Sequence, residues 1–182
     1  MVASDRLDGR AIVRRRKRLD VTVDDELREI ALVDAAVSRE PYTGARAIWD
    51  PGLLDELLLT QAQPGAIGLS AIGGQLDPVA PDEPHGLFLR IGPGGCQVTA
   101  ALAPGLVRPI PIAEHRRLQL GQGLRFTDRR GTLALDGERE LELYPRHTVE
   151  IRLSPAGPHV VDIPATMRAA AEAGLFRSDA DP

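Results

Sequence analysis

The chain has 182 residues, a formal charge of −4, 43% hydrophobic residues and only 3% aromatics. That length fits one domain with a full hydrophobic core, which must be built from Leu, Ile, Val and Ala. The charge argues against a general attraction to nucleic acid; the single cysteine, Cys96, excludes an internal disulfide framework, and no apolar run approaches the ~20 residues of a membrane span.

Residues 1–10 are polar, carry no signal-peptide core and read as a flexible end, so a cytoplasmic setting is expected. Residues 11–176 read as one domain, and 177–182 as a second flexible end. From Ala11 to Val37 the pattern gives two or three strands. The basic run Arg14-Arg15-Arg16-Lys17-Arg18 is either a phosphate patch or a solvated strand edge whose charges discourage pairing. Leu27–Val37 is apolar on both faces, as in a strand buried inside a sandwich. Within it, Asp34 is a lone carboxylate, costly to bury unless it is paired or holds a ligand; Arg46 is the partner nearest in sequence.

Asp50-Pro51-Gly52, followed by Leu53, Leu54, Leu57 and Leu58 at helical spacing, predicts a helix fading near Gln61. Ala66–Gly74 predicts an apolar strand running into a glycine turn. It is neither a Walker A loop nor a nucleophile elbow. Glycines there either bring backbone N–H groups close to a ligand or only satisfy a turn. Beyond a Pro/Asp loop at 75–85, eight short strands are predicted: Leu87–Ile91, Gln97–Leu102, Val107–Ile112, Arg116–Leu120, Gly131–Leu135, Glu140–Tyr144, Thr148–Leu153 and His159–Ile163. Asp136-Gly137 suits a tight hairpin. A closing helix begins at Pro164, turns Met167, Ala170 and Ala171 to the core and is capped by Gly174, with Leu175 and Phe176 packing back. The result is a mainly β, sandwich-like fold with one internal and one C-terminal short helix.

The four histidines show no metal-ligand spacing, nothing local activates Cys96, and no nucleophile–base pair is readable.

Four segments in this order resemble the C-terminal domain of the NAD kinase family, and most closely its divergent AcoX branch, named for acetoin-catabolism operons. Ala31-Leu32-Val33-Asp34 stands where NAD kinases have Ala-Leu-Asn-Glu. Ser70-Ala71-Ile72-Gly73-Gly74 stands where they have Ser-Ala-Gly-Gly-Pro. Ala103-Pro104-Gly105-Leu106-Val107-Arg108-Pro109 resembles a segment that ends in Arg-Pro, and Leu135-Asp136-Gly137-Glu138 resembles a late Asp-Gly hairpin. Gly44–Asp50 and Asp136–Arg139 look particularly like AcoX. Two departures, Val33 for Asn and Ile67–Ala71 for a Thr/Ser-rich stretch, remove hydrogen-bond partners for a polar ligand.

The resemblance implies a nucleotide-binding module with Asp34, Ser70, Gly73, Gly74, Asp136 and Gly137 at the ligand. The Gly-Gly-Asp-Gly loop that grips ATP in such enzymes is absent from this sequence. The module therefore completes no phosphoryl transfer alone; NAD, or ATP with Mg²⁺, would serve only beside a separately encoded kinase-like N-terminal domain. The alternative is a non-catalytic oligomerisation module with a degenerate ligand site. A homo-oligomer is expected on either reading.

Overall fold

The computed structural model describes residues 4–7, 11–39 and 51–177. In chain order it comprises β1 (Ser4–Leu7), β2 (Ala11–Arg15), β3 (Arg18–Val23), β4 (Glu26–Ala31), β5 (Asp34–Ser38), one 3-10 turn (Pro51–Leu53), β6 (Leu54–Leu59), α1 (Leu69–Leu76), β7 (His85–Ala103), β8 (Leu106–Gln119), β9 (Gly123–Phe126), β10 (Gly131–Leu135), β11 (Arg139–Leu143), β12 (Val149–Ser154), β13 (His159–Val161) and α2 (Ile163–Glu172).

All described pairings between strands are antiparallel. A large sheet runs β11-β10-β5-β6-β7-β8, a second runs β4-β3-β12-β9, and a small third sheet runs β1-β2-β13. The first two face each other across a core that includes Leu19, Val21, Val37, Phe88, Leu133 and Ile151. The other face of the large sheet carries a second core. There Leu57, Leu59, Leu87 and Leu89 meet Ile72 of α1 and Val98, Ile110 and Ile112 from the far half of the β7–β8 hairpin. Alternate residues of one strand thus enter different cores, as the pleat requires: Leu87 and Leu89 enter one, Phe88 the other. The mainly β, sandwich-like architecture with two helices agrees with the sequence reading.

The internal helix, however, is elsewhere. Leu53–Leu59 (LLDELLL) satisfies helical spacing, but it also fills both faces of a central strand, and the two cores decide for the strand. Glu56, buried in that strand, is held by a bidentate pair with the Arg129 guanidinium. Pro51 opens a single 3-10 turn; Asp50, its expected cap, lies outside the described residues, as do Gly44–Trp49 and Arg46. The segment expected to be a strand and glycine turn instead contains α1. Ala71, Ile72, Gly73 and Gly74 are its buried residues.

Four predicted strands are two long ones. Gly92–Gly95 bulges out of β7, with Ile91 and Cys96 both registered on Ile112, so the strand bends there without ending. Gly95 permits the bend, because a Cβ would lie 2.2 Å from the Ile112 carbonyl oxygen. Within residues 1–10, expected to be loose, Ser4–Leu7 pairs with β2. The basic run is no free edge either: β2 is paired on both sides, Arg14 binds Asp162 at 2.6 Å, and Lys17 is buried.

Helix α2 has the expected Pro near its start. Asp162 caps it, accepting from the Ala165 N–H at 3.0 Å, and Gly174 follows at φ +75°. Its facing differs from expectation. Ala165, Thr166, Ala169 and Ala170 are half-buried, whereas Met167 and Ala171 point outward and Leu175 and Phe176 do not pack back.

Candidate functional site

The Asp-Gly hairpin between β10 and β11 does more than turn the chain. Asp136 and Gly137 have φ of +54° and +69°, the left-handed conformations a tight hairpin requires. The Asp136 carboxylate accepts backbone N–H bonds from Leu32 (2.9 Å), Val33 (2.8 Å) and Asp34 (3.2 Å). Arg139 donates to it at 3.2 Å and also reaches the Ile30 carbonyl at 2.7 Å. Thr60 closes the far side, its hydroxyl donating to the Leu32 carbonyl at 2.7 Å. These bonds hold the crossover from β4 to β5, where the chain passes from one sheet of the sandwich to the other. Asp136 and Gly137 are therefore engaged in the fold itself.

Asp34 opens β5 immediately after that crossover. It shares its face of the strand with Ala36, so it lies on the side of the large sheet that α1 covers. Its side chain is partly buried and meets no hydrogen-bond donor among the described residues. Burial, and secondarily the nearby charge of Asp136, pushes its carboxyl from 3.8 up to about 7.

The sheet register relates Asp34 to α1. Asp34 lies opposite Leu59, Leu59 opposite Leu87, and Leu87 opposite Arg117, forming one row across four strands. Helix α1 follows this row. Asp77, just past its C-terminus, binds Arg117 at 3.0 and 2.7 Å. Midway, Gly73 sits against Leu59 and Leu87, where a Cβ would come within 2.4 and 2.9 Å of their methyls. Ser70 lies in the first turn of α1, just after Gly68, whose N–H donates to the Ala101 carbonyl of β7 at 3.0 Å. Ser70 is partly buried and its hydroxyl has no partner among the described residues. Gly68 precedes the helix at φ +100° with no side-chain cap, which leaves first-turn N–H groups unclaimed by a side chain.

The sequence-derived residues therefore separate into three kinds. Asp34 and Ser70 are partly buried side chains with no hydrogen-bond partner among the described residues. Gly73 and Gly74 serve close packing, Gly74 because a Cβ would strike the Gln63 carbonyl oxygen at 2.3 Å. Asp136 and Gly137 shape the crossover. No group of three or more His, Cys, Asp or Glu able to hold a metal occurs among the described residues.

Residues 17–156 match the family model described as the acetoin catabolism protein X C-terminal domain. The chain belongs to that family. The acetoin catabolism protein X of Cupriavidus necator is 38% identical over 189 aligned positions, which take in 100% of this chain and 53% of that protein. The chain thus spans about half the length of the curated relative it matches. The matched region runs from β3 through β12, both sheets of the sandwich. It leaves out β1, β2, β13 and α2.

One buried cluster escaped the sequence reading. Lys17 donates to the carbonyls of Glu83 (2.6 Å), His85 (2.5 Å) and Ala80 (3.3 Å), pinning the loop after α1. Burial lowers its ammonium to about 8, against the opposing pull of Glu83 and Asp82. Nothing in a run of five basic residues distinguishes the buried one in advance. A shallow depression of about 370 Å³ on the outer face of the second sheet is lined by Asp20, Thr22, Asp25, Leu27, Glu150 and Arg152. Its charges are paired: Arg152 with Glu150 at 2.5 Å, Asp20 with Arg18 at 2.6 Å and Asp25 with Arg125 at 3.6 Å. No helix among the described residues is long and apolar enough to cross a membrane.

Proposed function

We propose that this chain is the ligand-binding β half of a protein of acetoin catabolism, and that its ligand is a nucleotide or nucleoside. The observation that carries the proposal is Asp34: a partly buried carboxyl without a donor, on the face of the large sheet that α1 covers. A ribose hydroxyl or a base amino group supplies the donor that Asp34 lacks, and the helix N-terminus favours a neighbouring anionic group. The order of segments that resembles the NAD kinase family supports the same ligand class.

On this reading the chain binds but does not catalyse. Phosphoryl transfer rests on positioning and on charge stabilisation by metal and cationic groups. Those parts, with ATP and Mg²⁺, belong to a separate kinase-like half. The setting is the cytoplasm, which suits the exposed free thiol of Cys96.

The test is titration calorimetry of the purified chain with NAD, NADP, ATP, AMP and adenosine, each with Mg²⁺. One of them should bind saturably, and Asp34→Ala and Ser70→Ala should each weaken it at least about tenfold. A second reading, an assembly module with a degenerate site, is favoured by Gly73 and Gly74, whose missing side chains are used in packing. Heat from none of the ligands, on a folded homo-oligomer, would select it.

A further inference from the structure

The crossover between β4 and β5 brings two carboxyl groups together and shares its donors unequally between them. Asp34 and Asp136 lie opposite each other at the end of the β5–β10 ladder. The Asp136 N–H donates to the Asp34 carbonyl at 3.0 Å, and the Asp34 N–H donates to the Asp136 carboxylate at 3.2 Å. Asp136 also takes the N–H groups of Leu32 and Val33 and a bond from the Arg139 guanidinium. Arg139 is further committed to Glu29 and to the Ile30 carbonyl, both at 2.7 Å. The Thr60 hydroxyl is spent on the Leu32 carbonyl. None of these donors is left for the Asp34 carboxyl.

The other elements on this side bring it no counter-charge. From β6, Leu59 lies opposite Asp34, and α1, which covers this face of the sheet, carries no ionisable side chain. Glu138 of the hairpin is exposed. The charged groups grouped about Asp34 are therefore Asp136, Arg139 and Glu29, and the cation among them is already paired with both carboxylates. A carboxyl in apolar surroundings, without a donor and beside a like charge, favours its protonated form. Burial first, and Asp136 second, accordingly raise Asp34 to about 7. The side chain is nevertheless only half-buried, so solvent and ligand can reach it.

We infer, resting on the nucleoside or nucleotide reading of this site, that Asp34 receives its ligand only as the ionised carboxylate, so that binding expels a proton and tightens as the pH rises from mildly acidic to mildly alkaline. An ionised carboxylate accepts on both oxygens, whereas a protonated one gives up an acceptor position to its own O–H. The proton held by the unliganded chain leaves to water as the ligand's O–H or N–H groups take its place. Below the Asp34 midpoint each pH unit therefore weakens binding about tenfold, and above it affinity levels off.

The probes are adenosine and NAD, which, unlike AMP and ATP, have no terminal phosphate that titrates near neutral pH. Each would be titrated into the chain by calorimetry from about pH 5.5 to about pH 8.5, in two buffers of different ionisation enthalpy so that released protons are counted. Affinity should be about 30-fold weaker at the acid end, with close to one proton released per ligand there and close to none at the alkaline end. Ser70→Ala should weaken binding but keep the slope, because a hydroxyl does not titrate in this range. Asp34→Asn should bind weakly at every pH and without slope. Binding of constant affinity across the range, or a slope that persists in Asp34→Asn, would overturn the proton link and leave the nucleotide reading standing. Binding of neither probe, even at the alkaline end, would overturn both. Should the Asn variant bind too weakly to titrate, the side-chain carboxyl carbon resonance of Asp34 decides. Saturating probe should lower its midpoint by at least about one pH unit, and an unmoved midpoint would refute the link.

Discussion

Replacing Asp34 by Asn separates its charge from its shape. Burial, then the charge of Asp136, raises the Asp34 carboxyl from 3.8 to about 7. Between those values the folded chain keeps a proton that the unfolded chain has released. Stability therefore falls as pH rises from about 4 to about 7, and the loss is complete above that. At about 1.4 kcal/mol per unit the full shift corresponds to about 4 kcal/mol; solvent reaching a partly buried carboxylate reduces this to about 2–3 kcal/mol. Asn is neutral throughout and removes the slope. Urea denaturation of parent and Asp34→Asn at steps from pH 4 to pH 8 should give similar stabilities at the acid end. At pH 8 the variant should be the more stable by about 2–3 kcal/mol. Parallel stability curves across the range would refute the reasoning, because they would mean the Asp34 carboxyl ionises as easily in the fold as in the unfolded chain. The same variant should bind the nucleotide poorly: a gain in stability joined to a loss of binding is what a ligand-holding carboxylate produces.

Other substitutions address the scaffold. Asp136→Ala strips the acceptor from three backbone N–H groups at the crossover and should cost about 2–4 kcal/mol, read by urea denaturation. Gly73→Ala forces a methyl against Leu59 and Leu87 and should cost about 1–3 kcal/mol, while Gly65→Ala, with nothing within 4 Å of its Cβ, should be near neutral. Lys17→Met removes the ammonium donor from the Glu83, His85 and Ala80 carbonyls, the last of which keeps the Glu83 N–H, and should cost about 1–3 kcal/mol at pH 7. The Lys17 ammonium lies near 8 in the fold, below its unfolded value of 10.5, so the parent should gain stability as pH rises between the two; the Met variant should lack that gain in thermal melts.

The parts of the fold legible in the sequence are those with a local cause. Asp136-Gly137 demands positive φ and turned where expected, and Gly131–Leu135 has the period of a strand wherever it is placed. Leu53–Leu59 has no such local answer. Its five leucines serve a helix or a doubly buried strand equally, and only the two cores supply the preference. Gly73 and Gly74 misled in the opposite sense. Glycine disfavours helix locally, by ~1 kcal/mol each, and the gain appears only once the β6 and β7 leucines are packed beneath. Asp34 stood out as a lone carboxylate in an apolar strand. That Asp136, about a hundred positions later, bonds the backbone next to it could not be seen without the register of β5 on β10.

The two hydrophobic cores lie on opposite faces of one six-stranded sheet and draw on alternate residues of the same strands. Neither can melt and leave the other standing, because losing Leu87 and Leu89 from one dislodges Phe88 from the other. The sandwich therefore behaves as a single cooperative unit in spite of its two interiors. The three-stranded sheet with α2 shares no strand with that unit. Its ladder hydrogen bonds lie outside both sandwich sheets, so its opening does not by itself require theirs to break.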